Sequence, residues 1–182
     1  MRWETERLVI REFEDRDAEV FAEYRSDPEV ARYQSWDTPM TVAEARARIA
    51  RYRTLDPTAE GWFQYAIELD GSLIGDIGVG THQNLMQAEI GFTLAPPYQG
   101  KGYATEAVCR VVEHLFTDRG LHRLSAGCDG RNDASARLLE RVGFRREGLQ
   151  RQHTWIKGEW TDDLLFGLLA SDYAEMAAET VE

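Results

Sequence analysis

The sequence is most informative between residues 89 and 107, where it reads Glu89-Ile-Gly-Phe-Thr-Leu-Ala-Pro-Pro-Tyr-Gln-Gly-Lys-Gly-Tyr-Ala-Thr-Glu-Ala107. An alternating β-strand pattern ends at two prolines, and a glycine-rich loop then leads into an apolar-striped helix. The backbone N–H groups at such a helix start are unpaired, and the helix dipole favours negative charge there. Because Gly100 and Gly102 have no Cβ, phosphates can approach the main chain closely. The stretch therefore predicts a site for a phosphate-bearing ligand.

Length and composition describe an ordinary globular chain. It has 182 residues, 43% hydrophobic and 29% charged, which predicts one domain over residues 1–182 with a full core. The apolar runs are too short to cross a bilayer, and residues 1–7 lack the apolar core of a signal peptide. A cytoplasmic location without membrane association is therefore expected. The net charge of −11 argues against nucleic acid as the main ligand, because binding nucleic acid requires clustered cations.

Neither the histidines nor the cysteines form a metal-binding pattern. The four histidines are scattered and show no HExxH pairing. The two cysteines, Cys109 and Cys128, do not match a metal-ligand spacing and cannot form a disulfide framework. We therefore expect no metal site, and we expect both cysteines to be small core residues.

The order of predicted elements indicates a mixed α/β domain with a largely antiparallel sheet. The clearest feature is a hairpin whose strands, 62–69 and 72–79, are joined by Asp70-Gly71. Further strands are predicted at 8–13, 87–95, 122–128, from 144 onward and at 164–169. Helices are predicted at 15–25, at 41–53 behind a capping box of Thr41 and Glu44, after the glycine loop, at 132–142 and at 171–179.

Two common phosphate-binding motifs do not fit the loop. A P-loop needs Ser or Thr after its Gly-Lys pair, but here Gly102 follows Lys101. A dinucleotide fingerprint needs glycine at its sixth position, where this chain has Thr105, and it needs an acid on a second strand, which is missing. The loop is therefore expected to bind a phosphate-bearing ligand that neither a P-loop nor a dinucleotide fingerprint recognises.

The loop resembles a third motif. Gln99-x-x-Gly102-x-Ala104 is similar to the pyrophosphate loop of GNAT acyltransferases, and Asn132-x-x-Ser135 with the later Gly143-Phe144 resembles that family's second signature. Three further stretches resemble the RimJ/RimL-type ribosomal-protein N-acetyltransferases within that superfamily: Thr5-Glu-Arg-Leu8, Ala88-Glu-Ile-Gly91, and Gly158 with Asp163. The resemblance extends over nearly the whole chain.

The resemblance implies the GNAT fold and acetyl-CoA as co-substrate. The expected sheet is mixed and mostly antiparallel, with about seven strands and four to five flanking helices. It should splay open between the strands at 87–95 and 122–128, with pantetheine filling the gap and pairing with the main chain near Phe92 and Leu94. The pyrophosphate would lie on the backbone of residues 99–104. The implied cofactor-binding residues are Phe92, Leu94, Gln99, Gly100, Lys101, Gly102, Tyr103, Ala104, Thr105, Asn132 and Ser135.

The implied chemistry is attack of an amine on a thioester. Glu89, expected to be partly buried beside the cleft, is the first candidate for the general base, although it could instead hold the strand or attract a cationic amine. The position of the tyrosine that many GNAT enzymes use to protonate the thiolate is Leu139 here, so Ser135 is the substitute candidate, with solvent as the alternative. Asn132 is also a natural helix N-cap.

The acceptor carries no recognisable signature. The resemblance implies an acceptor site between the first two helices and the last hairpin, where Tyr33, Trp36, His153 and Trp155 are candidates to line it. The leading hypothesis is transfer to a protein N-terminal amine. The alternatives are a small amine, such as a polyamine, an amino acid or an antibiotic, and a non-catalytic acyl-CoA-binding module. A homodimer is compatible with this fold.

Overall fold

The computed structural model describes residues 1–179, in which eight strands form one mixed sheet in the order β1-β2-β3-β4-β5-β6-β8-β7. All neighbouring strands are antiparallel except β5 and β6. The expectation of about seven strands missed the short first strand at the sheet edge. The strands are β1 Arg2–Glu4, β2 Val9–Glu12, β3 Gly61–Leu69, β4 Ser72–Thr81, β5 Gln87–Leu94, β6 Arg123–Asp129, β7 Arg145–Ile156 and β8 Glu159–Leu169.

Six α-helices accompany the sheet within residues 1–179, one more than expected. The additional helix is a single turn, α2, which Asp27 caps by accepting from the backbone N–H groups of Glu29 and Val30. The predicted capping box is confirmed, because Glu44 N donates to Thr41 Oγ1 at 3.2 Å and Thr41 N donates to Glu44 Oε2 at 2.7 Å. The helices are α1 Ala18–Ser26, α2 Pro28–Ala31, α3 Val42–Tyr52, α4 Tyr103–Glu113, α5 Asp133–Val142 and α6 Ala170–Glu179.

The hairpin between β3 and β4 forms as predicted. Asp70 and Gly71 both have positive φ, 49° and 79°, which is the backbone of the primed turn that matches strand twist. The pairing runs from Leu69–Ser72 at the turn to Gly61–Thr81 at the far end, with one irregularity after Ile67. This hairpin carries the face of the sheet on which part of the candidate site is built.

The splay between β5 and β6 is confirmed. Their parallel pairing covers only Gln87–Glu89 of β5 and Arg123–Ser125 of β6. Beyond Glu89, β5 continues beside β4 to Leu94, while β6 continues beside β8 to Asp129. The two strands therefore part and leave a gap in the middle of the sheet.

Apolar side chains cover both faces of the sheet. One core cluster contains residues of α4 and α5, among them Val111 and Leu139, packed on strand residues such as Ile90. The other contains residues of α1 and α3, including Phe21 and Ile49. Helices on both faces hold the strands on either side of the gap in place.

Candidate active site

The glycine loop after β5 has the left-handed backbone that its glycines allow. Gly100 and Gly102 have φ of 72° and 84°, and Gly102 is the N-cap of α4 without contributing a side chain to cap it. A Cβ built on Gly100 would meet nothing within 4 Å, so the space beside its backbone is open. The loop can therefore admit an anion to the start of the helix.

Gln99 braces the loop against the strand before it. Its Nε2 donates to the carbonyl oxygen of Leu94 at 2.8 Å. The side chain thus links the end of β5 to the residue before Gly100, which accounts for a glutamine at the first position of the motif.

The N-terminal segment anchors the first turn of α4. Glu106 accepts from Thr5 Oγ1 at 2.6 Å, from Arg7 N at 2.9 Å and from Arg7 Nε at 2.7 Å. Arg7 also donates to the Lys101 carbonyl at 3.2 Å and lies 4.6 Å from the ring centre of Tyr103. Partial desolvation raises the pKa of Glu106, but the hydrogen bonds from Thr5 and Arg7 outweigh it and leave that pKa below its ordinary value. This interaction explains the Thr5-Glu-Arg-Leu8 stretch.

A cavity of about 500 Å³ opens above the glycine loop, and we call it the loop cavity. It reaches from the loop along the freed end of β5 to the start of α5. Ten of the eleven implied cofactor-binding residues line it: Phe92, Leu94, Gln99, Gly100, Gly102, Tyr103, Ala104, Thr105, Asn132 and Ser135. The structure thus gathers two segments about thirty residues apart in sequence around one space.

The eleventh residue, Lys101, is exposed and does not line the loop cavity. The cations on its wall are instead Arg32, Arg137 and Arg141. Arg137 and Arg141 lie one turn apart on α5, and Arg141 Nη1 donates to Thr105 Oγ1 at 3.4 Å. The i, i+4 spacing of these two arginines was a signal in the sequence for a shared helix face.

A second cavity, of about 350 Å³, lies on the sheet beside the first, and we call it the sheet cavity. Its wall includes Gln64 of β3 and Asp76 and Gly78 of β4. Six residues line both cavities: Tyr33, Gln34, Phe92, Thr93, Asn132 and Ser135. The two cavities therefore meet at the gap between β5 and β6.

The start of α5 lies at this junction. Asn132 Oδ1 accepts from Ser135 N at 3.1 Å, so Asn132 caps the helix while it lines both cavities. Ser135 is half-buried, and its hydroxyl is the polar group of the first turn at the junction. Leu139, 1% exposed, lines the sheet cavity with a side chain that has no proton to donate.

Glu89 is exposed, so the expectation of partial burial was wrong. It pairs with Gly80 of β4 and with Ser125 of β6, at the last residue before the strands part. It is not among the residues that line either cavity.

A buried polar group lies beneath the sheet cavity. Asp76 of β4 accepts from Tyr24 Oη at 2.5 Å and from Arg25 Nη2 at 2.6 Å. Burial, reinforced by the charge of Asp76, raises the pKa of Tyr24 well above its ordinary value. Trp36 covers the guanidinium of Arg25, with its ring centre 3.9 Å from Cζ. No motif in the sequence marks this group, although an aspartate inside an apolar strand signals a buried partner.

Glycines form the floor beside this group. Gly78 and Gly80 lie under the half-exposed ring of Trp62, where a Cβ would approach that ring to 3.1 Å and 2.7 Å. Glycine within a strand indicates that another group approaches the backbone closely, and here that group is an indole. Trp62 was not among the residues expected from the sequence at the acceptor site, although it lines the sheet cavity.

Two of the four acceptor-site candidates line the sheet cavity, and two do not. Tyr33 and Trp36 line it, and Trp36 Nε1 donates to the carbonyl of Arg25 at 3.1 Å. Trp155 is 57% exposed and packs edge-on against Trp160, away from the cavity. His153 is exposed, with Nδ1 2.8 Å from Asp163 Oδ2. Both lie on β7, an edge strand whose register shifts between Gln150 and Thr154, and neither lines the sheet cavity.

The cysteines also differ from expectation. Cys109 is exposed on α4, and Cys128 is half-buried and lines the sheet cavity, so neither is fully in the core. Burial, together with the charges of Asp129 and Asp163, raises the pKa of the Cys128 thiol to about 11. At neutral pH the thiol is therefore almost wholly protonated and a poor nucleophile.

Within residues 1–179, no group of three or more metal-ligating side chains is close enough to hold an ion. None of the helices in the same range is long and apolar enough to span a membrane.

Comparison with known proteins gives consistent matches. Residues 7–145 match the family described as acetyltransferase (GNAT) domain. An uncharacterized N-acetyltransferase, p20 of Bacillus licheniformis, is 36% identical over 93% of this chain and 97% of its own length. The [ribosomal protein uS5]-alanine N-acetyltransferase of Escherichia coli K12 is 27% identical over 95% and 93%.

Solved structures share the fold. A GNAT-family acetyltransferase from Bacillus anthracis superposes with a TM-score of 0.83 at 31% identity, covering 94% of this chain and 99% of that one. RimJ of Mycobacterium smegmatis, solved in complex with CoA-disulfide, has a TM-score of 0.80 at 28% identity, over 94% and 89%.

Proposed function

The chain belongs to the GNAT acetyltransferase family, and we propose that it transfers the acetyl group of acetyl-CoA to the N-terminal amine of a protein. As a member of this family it is an acyltransferase acting on nitrogen, so the hypothesis of a non-catalytic module is set aside. The proposal adds the donor, the acceptor class and the roles of individual residues.

The meeting of two cavities at the gap in the sheet carries this proposal. Acetyl-CoA would enter by the loop cavity and the amine by the sheet cavity, so that amine and thioester meet beside Asn132 and Ser135. Such an arrangement suits direct attack in a ternary complex, since proximity and orientation supply much of the rate.

The loop cavity has the chemistry that a CoA pyrophosphate requires. The open backbone at Gly100 and the start of α4 would supply N–H groups and the positive end of a helix dipole. Arg137 and Arg141 of α5, which line the same cavity, would add positive charge. Pantetheine would follow the main chain of β5 past Phe92, where β6 no longer pairs with it. The CoA complex of the Mycobacterium smegmatis relative supports this assignment.

The reaction forms an N–C bond and breaks the C–S bond of the thioester. The amine loses a proton, which Glu89 would accept through bridging water, since its carboxylate is exposed at the mouth of the gap. The departing thiolate would take a proton from the hydroxyl of Ser135, which solvent then restores. A backbone N–H of β5 would stabilise the charge that develops on the carbonyl oxygen. Ser135 is assigned this role because Leu139, at the position of the usual tyrosine, has no proton to donate.

The protein N-terminus is the acceptor favoured by the relatives. One of them is named for acetylating the alanine of ribosomal protein uS5, and it matches 95% of this chain. The sheet cavity, about 350 Å³, has room for the first residues of a chain whose remainder stays outside. A small amine of similar size is the second candidate.

Release of free CoA thiol tests the proposal. The acceptors are peptides beginning with alanine, serine or methionine, the same peptides with a blocked N-terminus, and a panel of polyamines, amino acids and aminoglycosides. Turnover with free but not with blocked peptides is the expected result. Turnover with small amines alone assigns the second candidate, and CoA binding without turnover on any acceptor overturns both.

A further inference from the structure

Three buried side-chain polar atoms lack a hydrogen-bond partner within residues 1–179: Arg25 Nε, Gln64 Oε1 and His114 Nε2. Two of them, Arg25 Nε and Gln64 Oε1, belong to residues that line the sheet cavity. Buried polar groups are nearly always paired, so such a concentration calls for an explanation. A ligand that bonds to both groups would provide one.

Arg25 is a donor held in a fixed position. It is 7% exposed, its Nη2 lies 2.6 Å from Asp76 Oδ1, and the ring of Trp36 covers its guanidinium. Asp76 is itself fixed by the hydroxyl of Tyr24 at 2.5 Å. Since Asp76 already neutralises the charge, the unpaired Nε–H suits a carbonyl oxygen and does not require a carboxylate.

Gln64 supplies the acceptor. Its carboxamide lies over Gly78, where a Cβ would come within 2.8 Å of its Nε2, so the glycine makes room for this side chain. Gln64 pairs with Gly78 in the sheet, two residues along β4 from the Asp76 that holds Arg25. Asp76 and Gly78 lie about 7 Å apart along β4, which leaves room for a peptide group, with its C=O and N–H on opposite edges, between the two side chains.

We propose that Arg25 and Gln64 are the specificity-determining pair of the acceptor site. Arg25 Nε donates to the carbonyl oxygen of the acceptor's first residue, and Gln64 Oε1 accepts from the N–H that follows it. The inference rests on the proposed function and narrows its substrate class to α-amino carbonyl compounds with a following N–H. An alkylamine or polyamine has neither the carbonyl oxygen for Arg25 nor the following N–H for Gln64, so it gains neither hydrogen bond and should bind more weakly than a peptide.

Two substrates and three variants test the pair. The substrates are an alanyl-alanine amide, which has both groups, and an alkylamine of similar size, which has neither. R25K keeps a cation for Asp76 but removes the Nε–H that would donate to the acceptor. Q64M removes the side-chain amide at nearly constant volume. R53K is the matched control, because Arg53 forms an exposed ion pair with Asp15 and lines neither cavity.

With wild type, kcat/KM for the dipeptide amide should exceed that for the alkylamine. R25K and Q64M should each lower kcat/KM for the dipeptide amide roughly ten- to a hundredfold, the size expected when one partner of a buried hydrogen bond is removed. Alkylamine turnover and the KM for acetyl-CoA should not change, and R53K should match wild type. Q64M should unfold at the same temperature or higher, because it removes an acceptor that has no partner in the free enzyme.

Binding separates this inference from the proposed function. Calorimetric titration of the dipeptide amide into the CoA-bound enzyme needs no turnover, so it tests the pair even if no acceptor reacts. Weaker binding to both R25K and Q64M supports the pair. Three results would overturn it: a loss of kcat/KM in R25K and Q64M that is equal for both substrates, unchanged kinetics with the dipeptide amide, or unchanged affinity of Q64M for the dipeptide amide.

Discussion

Arg7 Nε lies 2.7 Å from Glu106 Oε2, joining the N-terminal segment to the first turn of α4 across 99 residues of sequence. The same glutamate accepts from Thr5, and Arg7 reaches on to the Lys101 carbonyl inside the glycine loop. Residues far from the loop in sequence thus hold the helix start that faces the loop cavity. Positioning of this kind has measurable consequences for donor binding.

Replacing Glu106 with glutamine should raise the KM for acetyl-CoA roughly three- to tenfold, because charge-assisted hydrogen bonds to Arg7 become neutral ones. The variant should also be less stable than wild type at pH 7. The folded-state pKa of Glu106 lies below its ordinary value of 4.5, so the stabilisation is complete above that value and is lost as pH falls through the lower one.

Urea unfolding from pH 7 to pH 3 measures this dependence. The difference in free energy of unfolding between wild type and E106Q should be largest at pH 7 and should shrink as the pH falls towards 3. The control is E113Q on the same helix, where the ion pair with Arg110 is more exposed. A stability difference between wild type and E106Q that does not change with pH would contradict the assignment.

Gly100 and Gly71 form a matched pair for the loop. Both have positive φ, and neither has a heavy atom within 4 Å of a built Cβ. Alanine at either position should lower the free energy of unfolding by a similar amount, about 1–2 kcal/mol, because a residue with a Cβ is strained in the left-handed region. Only G100A should weaken CoA binding, because its methyl group would occupy the path to the helix start. Calorimetry with CoA distinguishes the two, and equal CoA affinity in both variants would show that the loop is only a tight turn.

Arg141 lines the loop cavity, whereas Arg145, four residues on, pairs with Asp172 outside it. R141Q should weaken CoA binding roughly tenfold and reduce its salt dependence, while R145Q should leave both unchanged. Acetyl-pantetheine, which lacks the nucleotide phosphates, should be used equally well by wild type and R141Q. A loss that is as large for acetyl-pantetheine would mean that Arg141 supports the fold of α5 and not the phosphates.

The proton-transfer roles rest on Ser135 and Glu89. S135A should lower kcat by roughly ten- to a hundredfold without weakening CoA binding, and E89Q should lower kcat/KM most at neutral pH, where the base is needed. S171A, at the start of α6, is the control for loss of a hydroxyl elsewhere. Full turnover in both S135A and E89Q would leave proximity alone as the source of the rate.

Most of the lining of the loop cavity could be predicted from the sequence because its determinants are local. Gly100 and Gly102 specify a left-handed turn, and Asn132 caps the helix that it begins. The splay followed from the resemblance, and the short pairing between β5 and β6 confirmed it. The positions of charge were harder to predict, because Lys101, Arg137 and Arg141 are all exposed, yet only the two arginines line the cavity.

Most of the lining of the sheet cavity became clear only in the folded chain, although Tyr33 and Trp36 had been expected at the acceptor site. Arg25, Trp36, Gln64 and Asp76 lie on four different segments, and none belongs to a motif with a fixed spacing. Trp155 is an exposed tryptophan on an edge strand, yet in sequence it is no less plausible a pocket residue than Trp36. Periodicity, turns and caps act over a few residues and can be recognised along the chain. Which side chains converge on a shared cavity depends on packing between distant segments, and therefore on the three-dimensional fold.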